Sequence, residues 1–180
     1  RLGWGHSDDE IFDLDQFVEW FDVGHVSHSA ARFDGGKLAW LNQQYLKPAD
    51  NARLAELVQP FLTAQGIDTA GSDNLAGLIG LVKERVNTIA ELADGLHIYY
   101  KQSLAAADEL RGKLPQANLP AFEQLKLDFA NHPWEAAALG QLLKDTAQAF
   151  GLKMGQIGMP LRLILFGTAQ TPAIDQVLAL

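Results

Sequence analysis

The sequence predicts an all-α protein, a bundle of roughly nine helices in two or three small modules. Three observations carry this. Apolar residues recur at spacings of three and four along most of the 180-residue chain, the period of a helix face. Helix start and stop residues bracket those stripes. No partner strand is visible elsewhere for the one ambiguous apolar run, Leu161 to Phe166.

The elements follow in order. Asp13 to Asp22 reads as a helix: Asp13 caps it, Gln16 stands at the capping-box spacing, and Leu14, Phe17, Val18 and Phe21 share a face. Val23 to Gly36 reads as a loop. A second helix runs from Lys37 to Lys47, with Leu38, Leu41 and Tyr45 on one side and Pro48 as its stop. The next spans Asp50 to Gln65, with Asp50 as cap and Gly66 at the left-handed stop. Its stripe is Leu54, Leu57, Val58, Phe61 and Leu62, and Pro60 inside it predicts a kink. Leu75, Leu78, Ile79, Val82 and Val86 form another stripe. Thr88 and Glu91 make a second capping box ahead of Leu92, Leu96 and Tyr99.

The chain then turns polar and Ala-rich, which predicts a boundary near residue 107. Pro120 and Pro133 each stand where a first helical position belongs, and helices of about 10 and 17 residues are expected after them, the second ending at Gly151. The run Leu161 to Phe166 fits a short strand or a buried helix; helix is preferred for want of a partner strand. Thr171 and Pro172 read as a cap and a first-turn proline opening a last helix.

Charge and composition narrow the function. The net charge is −8, which on its own disfavours nucleic acid. The excess is uneven: −5 over residues 1–50, −2 over 51–107 and −1 over 108–180. Thr146 to Ile174 contains no acid but holds Lys153 and Arg162, so a polyanion meets the C-terminal third on better terms. No run of about 18 apolar residues is present, so no membrane span is expected. The first residues have no charged-then-apolar leader. There is no cysteine, which excludes disulfides and thiol chemistry and fits a cytoplasmic protein.

No catalytic set assembles. His25 and His28 lack a third ligand at a usable spacing, and Asp8-Asp9-Glu10 lacks the twelve-residue calcium pattern, so no metal is expected. Ser27 and Ser29 beside His28 have no orienting third group. Gly155 to Gly158 lacks the strand–helix context of a phosphate loop.

Several segments resemble bacterial glutamyl-tRNA synthetases. They are Arg1 to His6 (RLGWGH), Glu10 to Asp22 (EIFDLDQFVEWFD), Val26 to Asp34 (VSHSAARFD), Lys37 to Tyr45 (KLAWLNQQY), Leu81 to Leu92 (LVKERVNTIAEL) and Gly151 to Pro172 (GLKMGQIGMPLRLILFGTAQTP). Order and spacing hold over nearly the whole chain. His28 stands where the family has Lys, Ala30 where it has Pro, and Gly35-Gly36 where it has Pro-Glu. These changes remove one positive charge from that loop.

The resemblance implies a C-terminal piece of the enzyme: residues 1–49 as the end of the stem-contact region, 50–107 as a first helical anticodon-binding module and 108–180 as a truncated second one. It implies no catalytic residue and no cofactor in this piece, the ATP and Mg²⁺ chemistry lying in an upstream catalytic domain. Its implied partners are the glutamate tRNA and that upstream domain, with neither DNA nor membrane. Residue by residue it carries over Arg85 as reader of the third anticodon base and Arg162 as an anticodon-loop contact. Thr171, Pro172 and Ile174 form a shelf for splayed bases. Guanidinium donors suit base edges, and a helix's first turn has free N–H groups. A competing expectation is a helical protein-interaction module without nucleic-acid binding, which needs an apolar groove rather than converging arginines.

Overall fold

The computed structural model describes residues 3–28, 32–100 and 115–180. Among them nine α-helices and three short 3₁₀ turns follow one another, with no strand. The all-α expectation therefore holds.

α1 (Leu14–Trp20) starts as its sequence dictates. The Asp13 carboxylate accepts from the Gln16 backbone N–H at 2.8 Å, and the Gln16 side chain accepts from the Asp13 N–H at 2.9 Å. Its expected stripe divides. Phe17 and Phe21 pack edge-on to Trp4, while Leu14 and Val18 are 74% and 70% exposed. A 3₁₀ turn (Val23–His25) follows. α2 (Gly35–Leu46) begins two residues earlier than expected because Asp34 caps it on the Lys37 N–H. Leu46, outside the expected stripe, is its buried residue.

The first core is built by α3 (Asn51–Ala64), α4 (Leu75–Val82) and α5 (Ile89–Tyr100). Asp50 caps α3 by accepting from the Arg53 N–H at 2.9 Å, and Gly66 follows with φ +76°. Leu54, Val58, Leu62, Leu78, Ile79, Leu92 and Leu96 fill the interior, and Leu46 joins them from α2. Leu57 and Phe61, expected on that face, lie outside it, 41% and 43% exposed. Pro60 sits inside α3, which continues past it. At the start of α5 the capping pair is offset by one residue. Thr88 Oγ1 accepts from the Glu91 N–H, while the Glu91 carboxylate accepts from the Asn87 N–H.

The second core is built by α6 (Leu119–Phe129), α7 (Ala136–Ala149), α8 (Met154–Phe166) and the one-turn α9 (Ile174–Leu178). Leu125, Leu143, Ala147, Ile157, Leu161 and Ile174 pack together. Pro120 lies in the first turn of α6 as expected. Pro133 does not open α7, which starts at Ala136 after Glu135 and has 14 residues rather than about 17. Leu161 to Phe166 is helical, within α8, and Gly167 closes it with φ +69°. Pro160 lies inside α8 and withholds an N–H from the Gln156 carbonyl. The buried Asn118 Nδ2 donates to that carbonyl instead, at 3.1 Å.

The two cores meet where α9 packs on α4 and where Tyr99 of α5 stands edge-on to Phe166 of α8, centroids 5.2 Å apart. The boundary expected near 107 lies outside the described residues. Leu46 and the Ala49 carbonyl, which accepts from Lys83 Nζ at 2.7 Å, tie the chain across residue 50.

Candidate nucleic-acid interface

The seam between the cores holds the predicted cationic residues. Arg85 ends the 3₁₀ turn Lys83–Arg85 that follows α4, where the chain must bend before Val86 returns to the core. That bend leaves its side chain exposed and aimed across the seam: Arg85 Nη1 donates to the Thr171 carbonyl at 2.9 Å. Arg162 lies on α8. Four residues before it, Gly158 has no side chain, and a Cβ there would stand 3.2 Å from Arg162 Nη1. The guanidinium lies over that bare backbone, and its Nε donates to Thr171 Oγ1 at 2.9 Å. Thr171 is thus held by both arginines, 86 and 9 residues away along the chain. A guanidinium carries five donors, and one of each is engaged here.

Thr171 does not cap the last helix. Its hydroxyl donates to the Pro172 carbonyl at 3.0 Å, and α9 begins only at Ile174, after Ala173, with no side-chain cap. The expected first turn of free N–H groups beneath Thr171-Pro172 is therefore not formed at those residues. Ile174 is also placed differently from expectation. It is 4% exposed inside the second core, so it offers no apolar shelf at the surface. Its apolar side chain serves packing rather than contact.

Pro172 is buried, yet it lines a cleft of about 340 Å³ on the seam together with Arg85, Val86, Tyr99, Thr168 and Gln170. Tyr99 was legible in the sequence only as the last member of a helical stripe. Its hydroxyl is buried and has no hydrogen-bond partner among the described residues. Burial pushes its phenol above the usual tyrosine range, while the positive charges of Arg85 and Arg162 pull it down.

A larger cleft, about 610 Å³, opens among the N-terminal aromatics Trp4, Phe12, Phe17, Phe21 and Phe33; its lining is mostly apolar and includes the charged Arg32, Asp34 and Lys37. Among the described residues no group of three acids or histidines is arranged to hold a metal ion. No helix among them is long and apolar enough to cross a membrane.

The chain is similar to known proteins along its whole length. The family model described as the anticodon binding domain matches residues 53–180, which include the seam and both cores apart from the Leu46 contribution of α2. A glutamate–tRNA ligase of Nitrosospira multiformis is 50% identical over all of this chain, and that of Dechloromonas aromatica is 46% identical. The chain spans 39% of the length of each. A crystal structure of a glutamate tRNA ligase from Elizabethkingia meningosepticum, in complex with its amino acid, superposes with a TM-score of 0.85 at 25% identity, covering 99% of this chain and 36% of that one. With residues 53–180 matched by that model, the chain belongs to the anticodon binding domain family, and over its full length it is similar to part of the glutamate–tRNA ligases.

Proposed function

We propose that this chain binds the glutamate tRNA and reads its anticodon loop. Arg85 contacts the third anticodon base, and Arg162 contacts the loop beside it. The observation that carries the reading is the convergence of the two guanidinium groups on Thr171 within the matched domain. Both retain donors for base edges or phosphates. Loop bases are unstacked and present those edges to protein side chains, whereas the deep groove of an RNA duplex does not. In this reading Thr171 positions the arginines and Pro172 supplies the apolar wall.

Residues 50–107 and 108–180 act as the two helical anticodon modules, and 1–49 as the end of the stem-contact region. Ligation itself, with its ATP and Mg²⁺, belongs to a longer parent ligase acting in the cytoplasm, and this piece alone does not catalyse it. Binding by the piece is weak, because its net charge of −8 repels the backbone outside the seam.

The test is a low-salt titration of the chain with glutamate tRNA and with a tRNA differing only in the anticodon loop. The expected result is preference for the cognate loop, lost in Arg162→Ala. Equal and feeble binding to both would refute it. That outcome would favour the second reading, a protein-interaction module, which the apolar cleft around Trp4 and Phe17 supports.

A further inference from the structure

The seam contains a polar group left unpaired among the described residues. Tyr99 lines the cleft beside Arg85 and Gln170, and its hydroxyl is shut off from solvent with no partner among the described residues. Its ring is held in place from the other core by Phe166. Native proteins pair nearly all buried polar groups, and each exception calls for a reason. A phenylalanine here would keep the ring contact without burying an unpaired oxygen.

The surroundings supply a reason. Val82, Val86, Ile98 and Pro172 give the cleft apolar walls, and Arg85 and Gln170 add polar groups. At about 340 Å³ it falls at the small end of ligand-cavity volumes, roughly 300–1,000 Å³. That suits a single planar group that stacks on one side and hydrogen-bonds at its edge. Arg85 spends one donor on the Thr171 carbonyl and faces the same cleft.

We infer that Tyr99 is a specificity-determining residue: an unstacked base entering the cleft beside Arg85 uncovers its hydroxyl, which has no partner among the described residues of the free protein, and the hydroxyl then donates to an acceptor on that base. This rests on the anticodon-reading function proposed above and adds to it a second contact with the same base. The phenol suits a donor's role: an ordinary tyrosine is already protonated at neutral pH, and burial shifts this one further in that direction. Apolar walls exclude competing water, so one such bond discriminates more than it would in the open.

The experiment compares the wild-type chain with Tyr99→Phe in two measurements. The first is titration with glutamate tRNA and with the same tRNA altered only at the third anticodon base. The second is thermal unfolding without RNA. The expected result is a loss of about three- to tenfold in affinity for the cognate tRNA, no change for the altered one, and a melting temperature at or above that of wild type. Affinity falls while stability does not, a combination that a packing role for the hydroxyl would not give. If wild type discriminates and Tyr99→Phe discriminates equally well, the inference is overturned and the Arg85 reading stands. If Tyr99→Phe melts well below wild type, the hydroxyl has a structural partner and the inference is again overturned. If wild type itself shows no preference, both fall together.

Discussion

Replacing Thr171 by valine removes the hydroxyl at the centre of the seam while keeping the side chain's shape. In the structure that oxygen accepts from Arg162 Nε at 2.9 Å and donates to the Pro172 carbonyl at 3.0 Å, at a residue 6% exposed. A hydrogen bond to a charged group contributes about 1.5–3 kcal/mol. Arg162 is only half-buried, so water recovers part of that, and the expected cost of Thr171→Val is about 1–2 kcal/mol. For a chain of this size each kcal/mol shifts the melting temperature by about 2–4 °C, so the variant should melt about 2–8 °C below wild type. Differential scanning calorimetry measures this directly. Thr171→Ser keeps the oxygen and loses one methyl, so it should cost less than about 1 kcal/mol. The bond from Arg85 goes to the backbone carbonyl and survives in both variants. A double-mutant cycle with Arg162→Ala should show that the two losses do not add. A Thr171→Val variant melting within about 1 °C of wild type, or losses that add fully, would show that the hydroxyl does not hold Arg162.

Other outcomes follow from packing. Gly95→Ala should destabilise by about 1–3 kcal/mol, because a Cβ there stands 2.7 Å from Cγ1 of buried, β-branched Val82; urea unfolding reads this. Gly77→Ala should be neutral or stabilising by up to about 1 kcal/mol, since its Cβ meets only the tip of Leu180, a 45% exposed side chain that can swing aside. Leu143→Ala, at a residue 1% exposed in the second core, should cost about 2–5 kcal/mol in the same assay. Asp50→Ala removes the α3 cap and should cost about 1 kcal/mol, seen as earlier amide exchange in the first turn of that helix.

The helices of the first core were legible because their signals are local. Asp50, Gly66 and the stripe Leu75, Leu78, Ile79 and Val82 depend only on neighbours a turn away. What failed needed knowledge of what lies opposite. A stripe names the apolar side of a helix but not how much of it a neighbour covers, so Leu57, Phe61, Leu14 and Val18 were expected inside and are exposed. Pro133 fits a first helical position by residue type, yet the chain uses it two residues before the Glu135 cap. At the seam, Arg85 and Arg162 were singled out by resemblance to a family. Their meeting on one threonine joins residues 86 apart, a distance at which no spacing rule operates. Ile174 shows the converse: its apolar character was read as a contact surface and is consumed by the second core.

The pairing of Asn118 with the carbonyl that Pro160 leaves unserved has a consequence for how this chain can change over generations. If Pro160 is first replaced by alanine, the helix supplies its own N–H to the Gln156 oxygen, and Asn118 is then free to become apolar. If Asn118 is lost first, that oxygen loses the side-chain donor that replaces the missing N–H, at about 0.5–1.5 kcal/mol. The route between an Asn–Pro pair and an apolar–Ala pair is therefore open in one order and obstructed in the other. The two sites, 42 residues apart in sequence, are expected to vary as a unit.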